Sequence, residues 1–273
     1  KTGLAFQVGE GGTLIGAADL QTLLLDWLAE MDPARAASIG RLAIDQAGLN
    51  LGQDLFVVHL RNFARGADAG NTDTRTFIGE AFGLLLETKD WTTDPTRSIA
   101  EAMDFAVYLE DPGVIRQLTD FMDPESGSAL GYASSIAIER LVDNRPVESG
   151  QALIDSMNTT GISPVARAGF LARLDPMDAA ERSVLDQYLR HPELASEEAV
   201  AFLGHLPNLN ITLSHNLVSP EISITNADDH IDRLRGSIEA VEQWQQDPGL
   251  ESLSGLLEQT KLRLLEQLGI VSD

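Results

Sequence analysis

FLARLDPMDAAERSVLDQYL, residues 170–189, is the stretch whose reading decides the fold. Phe170, Leu171 and Leu174 end one helix-like apolar pattern, and Val184, Leu185, Tyr188 and Leu189 carry the next. Only the dipeptide Asp175-Pro176 is read as the joint between them. Aspartate accepts hydrogen bonds from free amides of a first helical turn, and its charge suits the positive end of the helix dipole. Proline at the first helical position loses no intrahelical bond and keeps the residue before it from staying helical. The pair therefore predicts a stop for one helix and a start for the next, hence antiparallel helix pairs.

The same dipeptide recurs at 32–33, 94–95, 111–112, 123–124 and 247–248, with Ser163-Pro164 as a chemical relative. The ends of the first helices align as FAVYLEDP (105–112), AIERLVDN (137–144), FLARLDPM (170–177) and FLGHLPNL (202–209). Their fifth residues are Leu109, Leu141, Leu174 and Leu206, about 32 residues apart. A period of this length with two helices in each marks helical hairpins that need neighbours to cover their apolar faces. Upstream, Leu20, Leu23, Leu24, Trp27, Leu28 and Met31 form an amphipathic stripe at helical spacing. Two-residue alternation is almost absent, so the predicted class is all-α.

The alanine-rich helices ending in FLARL or FLGHL, the short Asp/Pro joints and the amphipathic second helices resemble HEAT-like α-solenoid repeats over residues 98–206. They resemble them in degenerate form over 17–90, with units shorter than standard repeats. The resemblance implies a right-handed α-solenoid of stacked helical hairpins closed by a C-terminal helical hairpin. The expected organisation is a flexible lead-in over 1–16, a degenerate helical region over 17–97, HEAT-like repeats over 98–206, an irregular segment over 207–226 and the closing hairpin over 227–273. HEAT-like repeats serve in general as interaction scaffolds. The expectation is therefore a non-enzymatic scaffold that binds a protein or peptide through its concave face and the irregular segment.

Composition narrows the partners. The chain carries 42 acidic and 19 basic residues, a net charge of −23, with the excess spread from residue 67 onward. Such a surface repels phosphate backbones and anionic lipid, which argues against nucleic acid. No apolar run approaches the roughly 20 residues of a spanning helix, so integral membrane insertion is not expected. Without cysteine there is no disulfide and no thiolate chemistry. That absence, and a first residue that is not methionine, lean toward an exported, periplasmic protein.

Catalytic and metal motifs do not emerge. The histidines His59, His191, His205, His215 and His230 form no i, i+4 pair of metal-binding spacing. Asp68, Asn71 and Asp73 in DAGNTD lack the ligand spacing of a calcium loop. VGEGGTLIG (8–16) lacks the lysine of a phosphate loop, and no nucleophile elbow is present. No cofactor, metal or catalytic residue is expected. The repeat instead aligns the residue before each period leucine, Tyr108, Arg140, Arg173 and His205, into one column. With His215 in the irregular segment, these are the expected partner contacts. The competing expectation for the column is local pairing with Glu139, Asp143 and Asp175. The leucines of the closing hairpin, Leu253, Leu257, Leu264 and Leu268, could also pair two copies of the chain. Competing functions are an enzyme with a carboxylate-rich groove between helical subdomains, and a structural or chaperone-like part of a cell-envelope assembly.

Overall fold

The structure, a computed structural model, describes residues 20–68, 70–87, 98–122, 129–158, 161–208 and 227–269, with backbone alone at 98–101, 129 and 227–229. Among the described residues every regular element is helical. The chain divides into two compact units, one built mainly from residues up to 111, the other mainly from 138 onward. The lead-in over 1–16 and most of the irregular segment over 207–226 lie outside the described residues.

The first unit holds α1 (Leu20–Met31), α2 (Pro33–Ala47), α3 (Gln53–Gly66), α4 (Thr72–Glu87) and α5 (Ser98–Leu109). Helix α3 is its centre and touches each of the other four. It is buried almost all round, from Phe56 to Asn62 and again at Ala64. Phe56, Leu60, Ile78, Phe82, Leu85 and Phe105 form the apolar core between α3, α4 and α5. Glycines let α2 approach α3 closely. A Cβ on Gly40 would sit 2.4 Å from the His59 carbonyl oxygen, and one on Gly66 would sit 2.1 Å from that of Pro33. In the DAGNTD loop, Asn71 Oδ1 accepts from the amides of Asp73 (2.8 Å) and Thr74 (3.4 Å), so it caps α4.

Helix α7 (Ala129–Asn144) gives its residues to 137 to the first unit and the rest to the second. The second unit continues with α6 (Ile115–Asp120), α8 (Pro146–Asp155), α9 (Pro164–Leu171), α10 (Ala179–Leu189), α11 (Ser196–His205), α12 (Ala227–Gln245) and α13 (Ser254–Gln267). Helix α8 packs on α6 and on α10, while α9 packs on α11 and α11 on α13. Helices α12 and α13 form the closing hairpin, with Leu234, Ile238, Val241, Leu257 and Leu264 buried. Tyr188, Phe202 and Trp244 stack in sequence at ring distances of 5.2 and 6.2 Å. Within this unit Leu141, Leu174 and Leu206 are all buried at or near the ends of α7, α9 and α11. In the first unit Leu109 ends α5 and is half-buried.

Two of the joints start an α-helix as capping chemistry dictates, and the Asp-Pro pairs at 94–95 and 123–124 lie outside the described residues. Asp32 accepts from the Arg35 amide at 3.0 Å with Pro33 first in α2, and Ser163 does the same for α9 with Pro164. Asp247-Pro248 opens a short 3-10 turn, six residues ahead of α13. At Asp175-Pro176 no helix starts. Helix α9 ends at Leu171, and Asp175 Oδ1 accepts from the Met177 amide at 2.9 Å to make a turn. Asp178 is the actual cap, accepting from the amides of Ala180 and Glu181. The joint of residues 170–189 is therefore seven residues long, from 172 to 178.

Candidate functional site

The geometry of α1 departs from that of an ordinary amphipathic helix in a core. At about 100° per residue, Leu20, Leu24, Trp27 and Met31 fall within about 60° of one another. These four are the exposed residues of the stripe, at 67, 51, 53 and 78%. The opposite side carries the buried residues of the helix, Thr22 and Ala29. There, Asp26 pairs with Arg61 of α3, and Asn62 Nδ2 donates to the Leu25 carbonyl at 3.1 Å. Toward α1, helix α3 offers Arg61 and Asn62, which α1 meets with Asp26 and the Leu25 carbonyl, while Leu23, Leu25 and Leu28 are half-buried and Leu20, Leu24 and Trp27 are exposed. Exposed apolar patches of this kind mark contact surfaces. The helix and its joint to α2 carry Asp26, Glu30 and Asp32 and no lysine or arginine, and Arg35 is the first cation after them.

The sequence-predicted column is placed as follows. Tyr108 belongs to the first unit, where its hydroxyl donates to the Ala64 carbonyl at 3.5 Å. Burial holds that phenol above its ordinary pKa, against Arg75, with Asp68 adding to the rise. Arg140, Arg173 and His205 belong to the second unit. Arg140 is 1% exposed. The Arg173 side chain grips Asp143 through both oxygens, at 2.9 and 2.7 Å, and meets Glu139 at 3.9 Å. Burial alone would lower the pKa of Arg173; its bonds and charge pairing with Asp143, and then Glu139, raise it overall. Asp175 meets a different cation, Arg233, at 3.7 Å. His215 lies outside the described residues.

His205 is exposed and lines an open pocket of about 420 Å³ with Leu206, Asn208, His230, Arg263 and Gln267. Sequence spacing gave no reason to join His205 with His230 and Arg263, because helix packing alone brings these distant residues together. Arg263 Nη2 donates to the carbonyls of Leu203 (2.9 Å) and Leu206 (2.7 Å). It thus satisfies the carbonyl end of α11, whose dipole favours a cation there. Burial lowers the pKa of Arg263. A second open pocket of about 640 Å³ is lined by Asp175, Met177, Asp232, Arg233, Arg235 and Glu239, with both signs of charge mixed. Among the described residues no three acidic or histidine side chains are grouped to hold a metal ion.

The outward stripe of α1 is what sequence reasoning missed. The periodicity of Leu20, Leu24, Trp27 and Met31 identifies the helix but not which way it faces, and the signal that bears on it is the polar pair Arg61 and Asn62 on the buried helix α3. Among the described residues no helix is long and apolar enough to cross a membrane. Comparison with models of known protein families, with curated proteins and with solved structures finds no match.

Proposed function

We propose that the chain is a non-enzymatic interaction scaffold built of stacked helical hairpins, and that a protein partner docks on the outer face of α1. The observation that carries this reading is the apolar ridge Leu20, Leu24, Trp27 and Met31, turned away from the helices that α1 touches. A chain folding for itself alone gains by burying such residues, at roughly 1.5–3 kcal/mol each. Support for the stacked-hairpin part comes from the second unit, where α8 packs on α6 and α10, and α11 packs on α9 and α13. The likeness of 98–206 to HEAT-like repeats favours the same reading. Of the column residues, His205 is the one set to join a contact, since it is exposed while Arg140 and the Arg173 side chain are buried. The segment 207–226 and the concave face of the stack are proposed as further contacts.

A photo-crosslinking amino acid placed at Leu24 tests the docking face inside the cells that make the protein, with the same group at Met177, 57% exposed, as control. The expected result is a discrete crosslinked species from position 24 that position 177 does not give, and that the Leu20→Ser change removes. Equal patterns from the two positions would defeat the proposal.

A further inference from the structure

The α1 face also constrains the chemistry of what covers it, on the reading that this face is a docking surface. The ridge from Leu20 to Met31 runs about 16 Å at 1.5 Å per residue. It is a line of side chains on the outside of a helix, with no cavity of the kind that encloses a small molecule. A helix offers no free backbone groups along its flank, so an added strand has nothing to pair with. An anionic lipid surface would meet a chain of net charge −23. A second copy would bring the same negative charge with it. What fits is an amphipathic helix whose apolar residues repeat at i, i+4, i+7 and i+11 to match the ridge, and whose flanks are cationic. Glu30 and Asp32 are exposed beside the Met31 end of the ridge, Asp32 also capping α2 through the Arg35 amide, while Asp26 is already paired with Arg61. The nearest described cation along the chain is Arg35, beyond the start of α2.

We infer that the partner presents a basic amphipathic helix to α1, its leucine-type side chains against Leu20, Leu24, Trp27 and Met31 and its lysines or arginines beside Glu30 and Asp32.

The test uses the full chain and three synthetic peptides of about 20 residues, long enough to hold a helix. One is a lysine/leucine sequence with helical periodicity, one has the same composition with the periodicity scrambled, and one is a glutamate/leucine sequence with helical periodicity. Binding is followed by calorimetry, and its place by protection of Met31 and Trp27 from oxidation. The periodic lysine/leucine peptide is expected to bind saturably, protect both residues and leave Met177 unprotected. Leu24→Ser/Met31→Ser should weaken it at least tenfold, and Glu30→Gln about threefold, since a rim charge contributes modestly. Circular dichroism of the variants checks that they fold, and both substituted faces are exposed. Equal binding of the scrambled peptide, or equal binding to the Leu24→Ser/Met31→Ser variant, would mean charge attraction alone and overturn the inference. Equal binding of the glutamate/leucine peptide would overturn the cationic chemistry while leaving the docking face standing. Failure of all three peptides alongside a discrete crosslink at position 24 would overturn the helical partner but not the proposed function. Doubling of mass with concentration, abolished by Leu24→Ser/Met31→Ser, would give the face to a second copy and overturn the inference as well.

Discussion

Arg173 stands between two carboxylates, and distance decides how they share it. Asp143 takes both prongs of the guanidinium and leaves Glu139 one contact at 3.9 Å. For Glu139 burial outweighs that contact, and Asp143 adds repulsion, so its carboxyl is pushed up to about 7. The sign of the consequence follows from proton counting. Between the ordinary glutamate range near pH 4.5 and about 7 the folded chain holds a proton that the unfolded chain has released. Stability from this group is therefore lost as pH rises through that window. At about 1.4 kcal/mol per pKa unit, discounted for a side chain one-quarter exposed, the loss is about 1–2 kcal/mol. Glu139→Gln carries no such titration. Urea unfolding of the two proteins from pH 4.5 to 8 should show the variant gaining about 1–2 kcal/mol on the wild type as pH rises. A difference that stays flat would mean Glu139 is ionised like a surface carboxylate. The pairing of Arg173 with Glu139 and Asp143, about 30 residues earlier on α7, is the local alternative that the sequence also offers for the column, while Asp175 goes to Arg233 instead.

At the scale of elements, glycine and proline carry most of what the sequence reveals. Pro33, Pro146 and Pro164 each stand first in a helix, as their fixed φ and missing amide proton require. Asp175-Pro176 breaks the rule because Asp178 is the better cap: its side chain reaches two amides, while Asp175 is drawn into a turn with Met177. Local chemistry signals that a joint exists but not which of two nearby aspartates starts the next helix. Gly40 makes the opposite point. Its role is invisible without the facing helix, since only the nearness of the His59 carbonyl forbids a side chain. Gly40→Ala should cost about 2–3 kcal/mol by forcing α2 from α3. Gly83→Ala, in α4 with open space around the new methyl, should instead gain about 0.5–1 kcal/mol from helix propensity. Thermal melts of both variants check the pair, and equal effects would contradict the close α2–α3 approach.

For the whole molecule, the helical class was readable because periodicity, alanine-rich composition and Asp/Pro joints all agree. Of the period leucines, Leu141, Leu174 and Leu206 are buried at or near the ends of α7, α9 and α11 in the second unit, while Leu109 is half-buried in the first. Facing was not readable. An amphipathic stripe satisfies the same pattern whether it lines a core or awaits another chain; in the structure Arg61 and Asn62 of α3 hold Asp26 and the Leu25 carbonyl, and Leu20, Leu24, Trp27 and Met31 are exposed. The recess formed by His205, His230 and Arg263 was hidden for a related reason, as it depends on α13 lying against α11. Methionine oxidation reads the exposure of the α1 ridge directly. Met31 is 78% exposed, Met177 57% and Met103 1%. In the isolated protein under dilute peroxide, peptide mapping should find Met31 oxidised within about twofold of the rate of Met177, and Met103 at least about tenfold slower. Oxidation of Met31 as slow as that of Met103 would mean that the chain covers this face itself, and would contradict the account.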